Sequence, residues 1–151
     1  MNNVLNYTIE ELSGELVKRG FKKFNARQIF EWVYKKGVKN FDEMSNISKS
    51  LRQHLKEFYS FSMLDVVTHQ ISADGTEKFL FELVDGNTIE TVLMRHKYGN
   101  SVCVTTQLGC NIGCAFCASG LQKKKRDLQA YEIVMQVLKV GEITKERVSH
   151  V

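Results

Sequence analysis

Apolar residues recur at helical spacing through the first third of this chain and at alternating spacing through the middle. Thr8 and Glu11 form a T-x-x-E capping box, Ile9, Leu12 and Leu16 lie on one helical face, and Gly20 stands where a C-terminal cap belongs. Asn25 with Gln28 repeats the start signal, Ile29, Phe30 and Val33 supply an apolar stripe, and Gly37 ends a second helix. Ser48 caps a third, with Leu51, Leu55 and Phe58 at helical spacing, while Phe41, Met44 and Ile47 fill beneath the connection. These elements predict a helical bundle over residues 8–59.

After Tyr59 the period becomes that of strands. Leu64 to Ser72, Glu77 to Val84, Thr88 to Arg95 and Ser101 to Gln107 are separated by Asp74-Gly75, Asp85-Gly86 and Tyr98-Gly99-Asn100, which are hairpin signals. Three or four antiparallel neighbours are expected, with Ser101, Cys103, Thr105 and Gln107 on one face of the last. Ala130 to Ile143 then reads as a helix with Ile133, Val134, Val137 and Leu138 as its apolar face, and Val148 to Val151 as a strand. The expected class is α+β. An N-terminal helical domain (1–60) precedes a second region (61–151) of antiparallel strands and one β/α unit, the start of an incomplete (β/α) barrel.

Composition adds little: 43% hydrophobic and 25% charged residues over 151 positions are ordinary for a globular chain. Met1 to Tyr7 lacks a basic or apolar leader, and no 18 consecutive apolar residues occur, so neither secretion nor a membrane span is expected. A cytoplasmic location follows as an expectation, and in its reducing conditions clustered cysteines read as metal-binding or catalytic. The net charge of +4 lies in residues 1–60, with 11 Lys and Arg against 7 acids, whereas residues 61–151 balance at 10 against 10. Such an excess suits a polyanion such as RNA, and equally a solvated helix face.

The chemistry concentrates in Cys110-Asn-Ile-Gly-Cys114-Ala-Phe-Cys117. Three thiolates within eight residues suit an iron–sulfur cluster with one open iron, whereas a structural zinc closes its tetrahedron with four protein ligands. The reading is a 4Fe-4S cluster whose open iron chelates S-adenosylmethionine (SAM) and reduces it to start radical chemistry. The alternatives are a zinc knuckle short of one ligand, an electron-transfer ferredoxin motif and three buried structural cysteines. Each fits less well: the next His after Cys117 is His150, and two-cluster ferredoxins use C-x2-C-x2-C. Gly109 and Gly113 supply positions where positive φ is cheap.

Together with Ile89-Glu90-Thr91-Val92, Val102 to Gly109 and Lys125-Arg126-Asp127-Leu128, this motif resembles the radical SAM RNA methyltransferases of the RlmN/Cfr family, nearly end to end and over that family's first half. The branch resembled is the one that methylates carbon 2 of adenine, with carbon 8 as the alternative. The resemblance implies a 4Fe-4S cluster on Cys110, Cys114 and Cys117, SAM beside Phe116, and 23S ribosomal RNA and transfer RNA as substrates, with an unidentified electron donor. It implies a mechanism in which a methyl group is loaded on a protein cysteine, activated by a 5'-deoxyadenosyl radical and added to the ring as a covalent protein–RNA adduct. Glu90 then accepts the ring proton, and Cys103 resolves the adduct through a transient disulfide.

Read by themselves, Cys103 is a small buried hydrophobe and Glu90 a surface carboxylate paired with a lysine. Lys123, Lys124, Lys125 and Arg126 are candidate RNA contacts or a solvated loop. His54, His69 and His96 have no ligand-like spacing. The family's glycine- and glutamate-containing SAM segment, its ribose-binding residues and its methyl-carrying cysteine have no match in these 151 residues. The chain alone is therefore expected not to transfer methyl groups. The competing readings are an RNA-binding module with a vestigial cluster loop and a different radical enzyme sharing only that loop.

Overall fold

A computed structural model describes residues 1–151, which form two compact units, 1–63 and 64–151. In the first, strand β1 (Asn2–Asn3), helices α1 (Ile9–Lys18), α2 (Phe24–Tyr34) and α3 (Lys49–Phe58), and strand β2 (Tyr59–Ser60) follow in order. The Thr8 box closes in both directions: Thr8 Oγ1 accepts from the Glu11 amide at 3.2 Å, and Glu11 accepts from the Thr8 amide at 2.8 Å. Leu12 and Leu16 are fully buried, and Gly20 turns the chain at φ +84°. Ser48 caps α3 through the Leu51 amide at 3.2 Å. Phe41, Met44 and Ile47 are buried beneath the connection, as expected. β1 and β2 pair in parallel, Asn2 opposite Tyr59.

Three details of these helices differ from the expected pattern. Asn25 lies inside α2, which begins at Phe24 with no side-chain cap, and its carboxamide bonds the Lys22 amide and Gln28 instead. Ala26 rather than Phe30 joins Ile29 and Val33 in the core, leaving Phe30 half-buried and stacked on Tyr34 with centroids 5.5 Å apart. Ile9 and Phe58 are exposed at helix ends, where Phe58 lies beneath the Arg19 guanidinium.

The second unit holds β3 (Asp65–Ile71), β4 (Glu77–Glu82), β5 (Thr88–His96), β6 (Gly99–Cys103), β7 (Gln107–Leu108), β8 (Arg126–Asp127), α4 (Ala130–Thr144) and β9 (Val148–His150). Five strands form one sheet in the order β3-β4-β5-β6-β9. The first four run antiparallel, and β9 joins β6 in parallel after the α4 crossover. Gly75 and Gly86 hold φ of +83° and +76° in the Asp-Gly turns. The last hairpin is tighter than expected, because Gly99 already belongs to β6.

One sheet face is core: Phe79 and Phe81 of β4, Ile89, Thr91 and Leu93 of β5, and Val102 of β6 are buried. α4 buries Tyr131, Met135 and Val140 together with Glu132 and Gln136. This corrects the expected face, since Ile133, Val134, Val137 and Leu138 are only half-buried. The reason is partnership: two polar side chains here find buried hydrogen bonds, so hydrophobicity alone does not choose the inward stripe. The chain is thus a mixed α/β protein, and no helix is long and apolar enough to cross a membrane.

Candidate active site

β6 stops at Cys103, short of the expected end at Gln107, because the Thr105 backbone turns away to α4. Thr105 was expected to share a strand face with Cys103 and Gln107; instead residues 104–106 leave the ladder. The two-residue ribbon β7–β8, Gln107 opposite Asp127 and Leu108 opposite Arg126, closes the base of the cysteine loop. Backbone bonds continue the closure: Leu128 N–H to Thr106 at 2.9 Å, Lys125 N–H to Leu108 at 2.8 Å and Cys110 N–H to Gln122 at 2.9 Å. Gly109 admits no side chain here. Its φ is +69°, and an added Cβ would stand 2.3 Å from the Lys123 carbonyl oxygen.

All four cysteines are free, with Cys110 half-buried and Cys103, Cys114 and Cys117 exposed. Hydrogen bonds from the Ser119 backbone and side chain hold the Cys117 thiol below the usual cysteine range. The Cys114 carbonyl accepts from the Cys117 amide at 3.1 Å, which folds the motif into a tight turn. The donor type fits a three-thiolate cluster, and Gly113 at φ +71° gives the loop a second left-handed position. The three thiols are not gathered: nowhere does the structure assemble three or more His, Cys, Asp or Glu side chains as metal ligands. Phe116 is 94% exposed.

A cavity of about 800 Å³ is lined by Glu90, Cys103, Cys110, Cys117 and Lys125 among others. Cys103 lies directly opposite Val92 in the β5–β6 ladder, and Glu90 is two residues along β5. Cross-strand partners and residues two apart project from the same side of a sheet, so Glu90 and Cys103 share the face opposite the core. Glu90 pairs with Lys78 of β4 at 3.1 Å, and the Glu90 and Lys78 side chains are 60% and 48% exposed. Its main-chain carbonyl accepts from the Thr105 hydroxyl at 2.6 Å.

The basic run divides in two. Lys123 is exposed, Lys124 pairs with Asp127 at 2.7 Å, and Lys125 donates to Asn87 at 3.0 Å. Arg126 is instead held between two carboxylates, with Glu132 at 2.7 and 2.8 Å and Asp85 at 2.7 and 3.0 Å. Its charge is spent inside the fold. Burial would raise the Asp85 carboxyl, but hydrogen bonds from Asn87 and Arg126 outweigh it and hold the group at about 2.

Sequence reasoning did not single out Gln136, Thr105, Glu132 or Asp85 as parts of this site. For Gln136 the available signal was a polar residue inside the otherwise apolar run from Ile133 to Leu138.

Known proteins share the sequence and the fold of this chain. A family model, the ribosomal RNA large subunit methyltransferase N-terminal domain, matches residues 2–60. The chain is 55% identical over 154 residues to a protein of Spiroplasma citri named probable dual-specificity RNA methyltransferase RlmN, covering 100% of this chain and 45% of that protein. A protein of the same name from Staphylococcus carnosus (strain TM300) is 57% identical over 152 residues, covering 99% of this chain and 42% of its own. The solved structure of a radical SAM methyltransferase from Sphaerobacter thermophilus superposes with a TM-score of 0.85 at 37% identity, covering 96% of this chain and 43% of that one. The chain thus spans less than half the length of the relatives it matches. In sequence and in fold it belongs to the RlmN family of radical SAM methyltransferases and corresponds to the N-terminal part of their length.

Proposed function

We propose that this chain supplies the cluster loop and the adduct-resolving pair of a dual-specificity RNA methyltransferase that modifies carbon 2 of adenine in 23S ribosomal and transfer RNA. The observation that carries the reading is that Glu90 and Cys103 share a sheet face and line one cavity with Cys110 and Cys117. Cys110, Cys114 and Cys117 would hold a 4Fe-4S cluster, with Phe116 beside SAM. When bound, the cluster would supply the electron that cleaves SAM.

The chain's own residues then act on the RNA adduct. The exposed Glu90 carboxylate, paired with Lys78, accepts the proton at the reacting ring carbon. The Cys103 thiolate attacks the carrier cysteine's sulfur, forming a disulfide as the sulfur–carbon link to the base breaks; the electron pair of that bond stays with the methylene carbon, which takes up a proton to become the methyl group. That carrier has no match in this chain, so the activity belongs to the longer architecture of the relatives. Lys123, Lys124 and Lys125 hold RNA phosphates near the cavity, while Arg126 secures the base of the loop. In this reading residues 1–60 form the helical RNA-binding domain, and β6–α4–β9 is the first β/α unit of the radical SAM barrel.

Anaerobic reconstitution with iron and sulfide, followed by electron paramagnetic resonance of the reduced protein with and without SAM, tests the reading. A 4Fe-4S signal that changes on adding SAM supports it. Absence of any cluster in a form carrying the relatives' full length would sink it and leave an RNA-binding module as the better account.

A further inference from the structure

Gln136 is fully buried, and its carboxamide is used on both sides. Oε1 accepts from the Thr105 amide and the Thr91 hydroxyl, each at 2.8 Å. Nε2 donates to the Thr105 carbonyl at 2.8 Å and to the Glu132 carbonyl, one turn back on α4, at 3.1 Å. The orientation of the amide is dictated by its partners, since the Thr105 N–H needs an acceptor and the Thr105 carbonyl needs a donor. Gln136 therefore grips both backbone polar atoms of one residue, as a neighbouring strand would.

That residue sits at a decisive point. Thr105 follows Cys103 by two residues, and continuing the β5–β6 register would set it opposite Glu90. Its hydroxyl still reaches the Glu90 carbonyl at 2.6 Å. Thr105 is thus tied to α4 through its backbone and to β5 through its side chain. A buried glutamine is a costly way to fill space that a leucine or methionine would occupy without polar atoms to satisfy. Two of its hydrogen bonds go to the backbone of Thr105, at the exit of β6.

We propose that Gln136 is a positioning residue: by holding the Thr105 backbone, it fixes the separation of Cys103 and Glu90 on their shared sheet face. The role rests on the reading of those two residues given above. Glu132, four residues earlier on α4, anchors the other end of the cysteine loop through Arg126. The helix therefore holds both arms of the loop, and the arm that carries Cys103 depends on Gln136.

The test needs neither cluster nor RNA. With Cys110, Cys114 and Cys117 changed to serine, Glu90→Cys leaves two thiols, at 90 and 103, in a diagonal cross-strand pair with Cβ atoms about 7–8 Å apart or less. A short dithiol reagent such as dibromobimane then reports their separation, and hydrogen exchange reports the Thr105 amide. Gln136→Met should cut crosslinking about threefold or more and speed Thr105 exchange by roughly tenfold, since two main-chain hydrogen bonds are lost. Val140→Ala, which removes buried methyls from the same helix, should leave both near the parent values. Unchanged crosslinking in Gln136→Met, or an equal loss in Val140→Ala, would overturn the proposal. If Gln136→Met does not fold, Gln136→Glu, which keeps the Oε1 acceptor and loses the Nε2 donor, is judged by the same criteria. Failure of the methyltransferase reading would leave this result standing, and loss of the positioning effect would leave the cluster test untouched.

Discussion

Arg126 and Glu132 meet through two parallel hydrogen bonds, Nη1 to Oε2 at 2.7 Å and Nη2 to Oε1 at 2.8 Å. The Glu132 side chain is 2% exposed, and it also accepts from the Gln129 amide at 2.7 Å to cap α4. One carboxylate therefore starts the helix and closes the base of the cysteine loop. Arg126→Ala leaves that carboxylate buried without its cation and should cost about 2–3 kcal/mol in chemical denaturation. Arg126→Lys keeps the charge but loses the fork, so its cost should be intermediate.

Asp85 gives the same junction a dependence on pH. Its folded carboxyl titrates at about 2, against an ordinary value of 3.8. A depressed acid contributes stability that is complete above the unfolded value and disappears as pH falls through the folded one. The window is therefore from about pH 4 down to pH 2. The side chain is 40% exposed, so screening limits the effect to about 1 kcal/mol or less. Acid titration of stability should show a shallower fall in this window for Asp85→Asn than for the parent.

Gly109 and Gly113 have nearly the same φ, +69° and +71°, but different surroundings. A Cβ at 109 meets the Lys123 carbonyl, whereas a Cβ at 113 meets nothing within 4 Å. Gly113→Ala should cost about 1–2 kcal/mol locally, from backbone conformation alone. Gly109→Ala must also displace the returning arm of the loop, breaking the Cys110-to-Gln122 bond. Faster alkylation of half-buried Cys110 in Gly109→Ala, with little change in Gly113→Ala, is the expected result.

Glu90 and Cys103 are both exposed in this chain, and neither is part of its core. Glu90→Gln loses one exposed ion pair, so its stability should stay within about 0.5 kcal/mol of the parent, as should that of Cys103→Ser. In a form competent for methyl transfer, Glu90→Gln should lower the rate by about 10²-fold or more if the carboxylate is the base. Cys103→Ser should let the covalent RNA adduct accumulate. Unchanged methylation by either variant would remove that residue from the mechanism.

The features legible in the residues alone are those that act over a few positions. Thr8 with Glu11 and Ser48 with Leu51 are contacts within one helical turn, and Asp-Gly sets a turn through its own backbone. The cysteine spacing, Glu90 and Cys103 were equally visible, because a motif is a local string of residues. Which side of α4 faces inward, where β6 ends and which basic residue is neutralised were set by long-range packing. Those outcomes depend on partners far along the chain, Gln136 with Thr91 at 45 residues and Arg126 with Asp85 at 41. Hydrophobicity ranked Val134 and Leu138 above Gln136. The fold reversed the order because a buried amide with all its hydrogen bonds made can fix a peptide in place, whereas a methyl group can only pack against it.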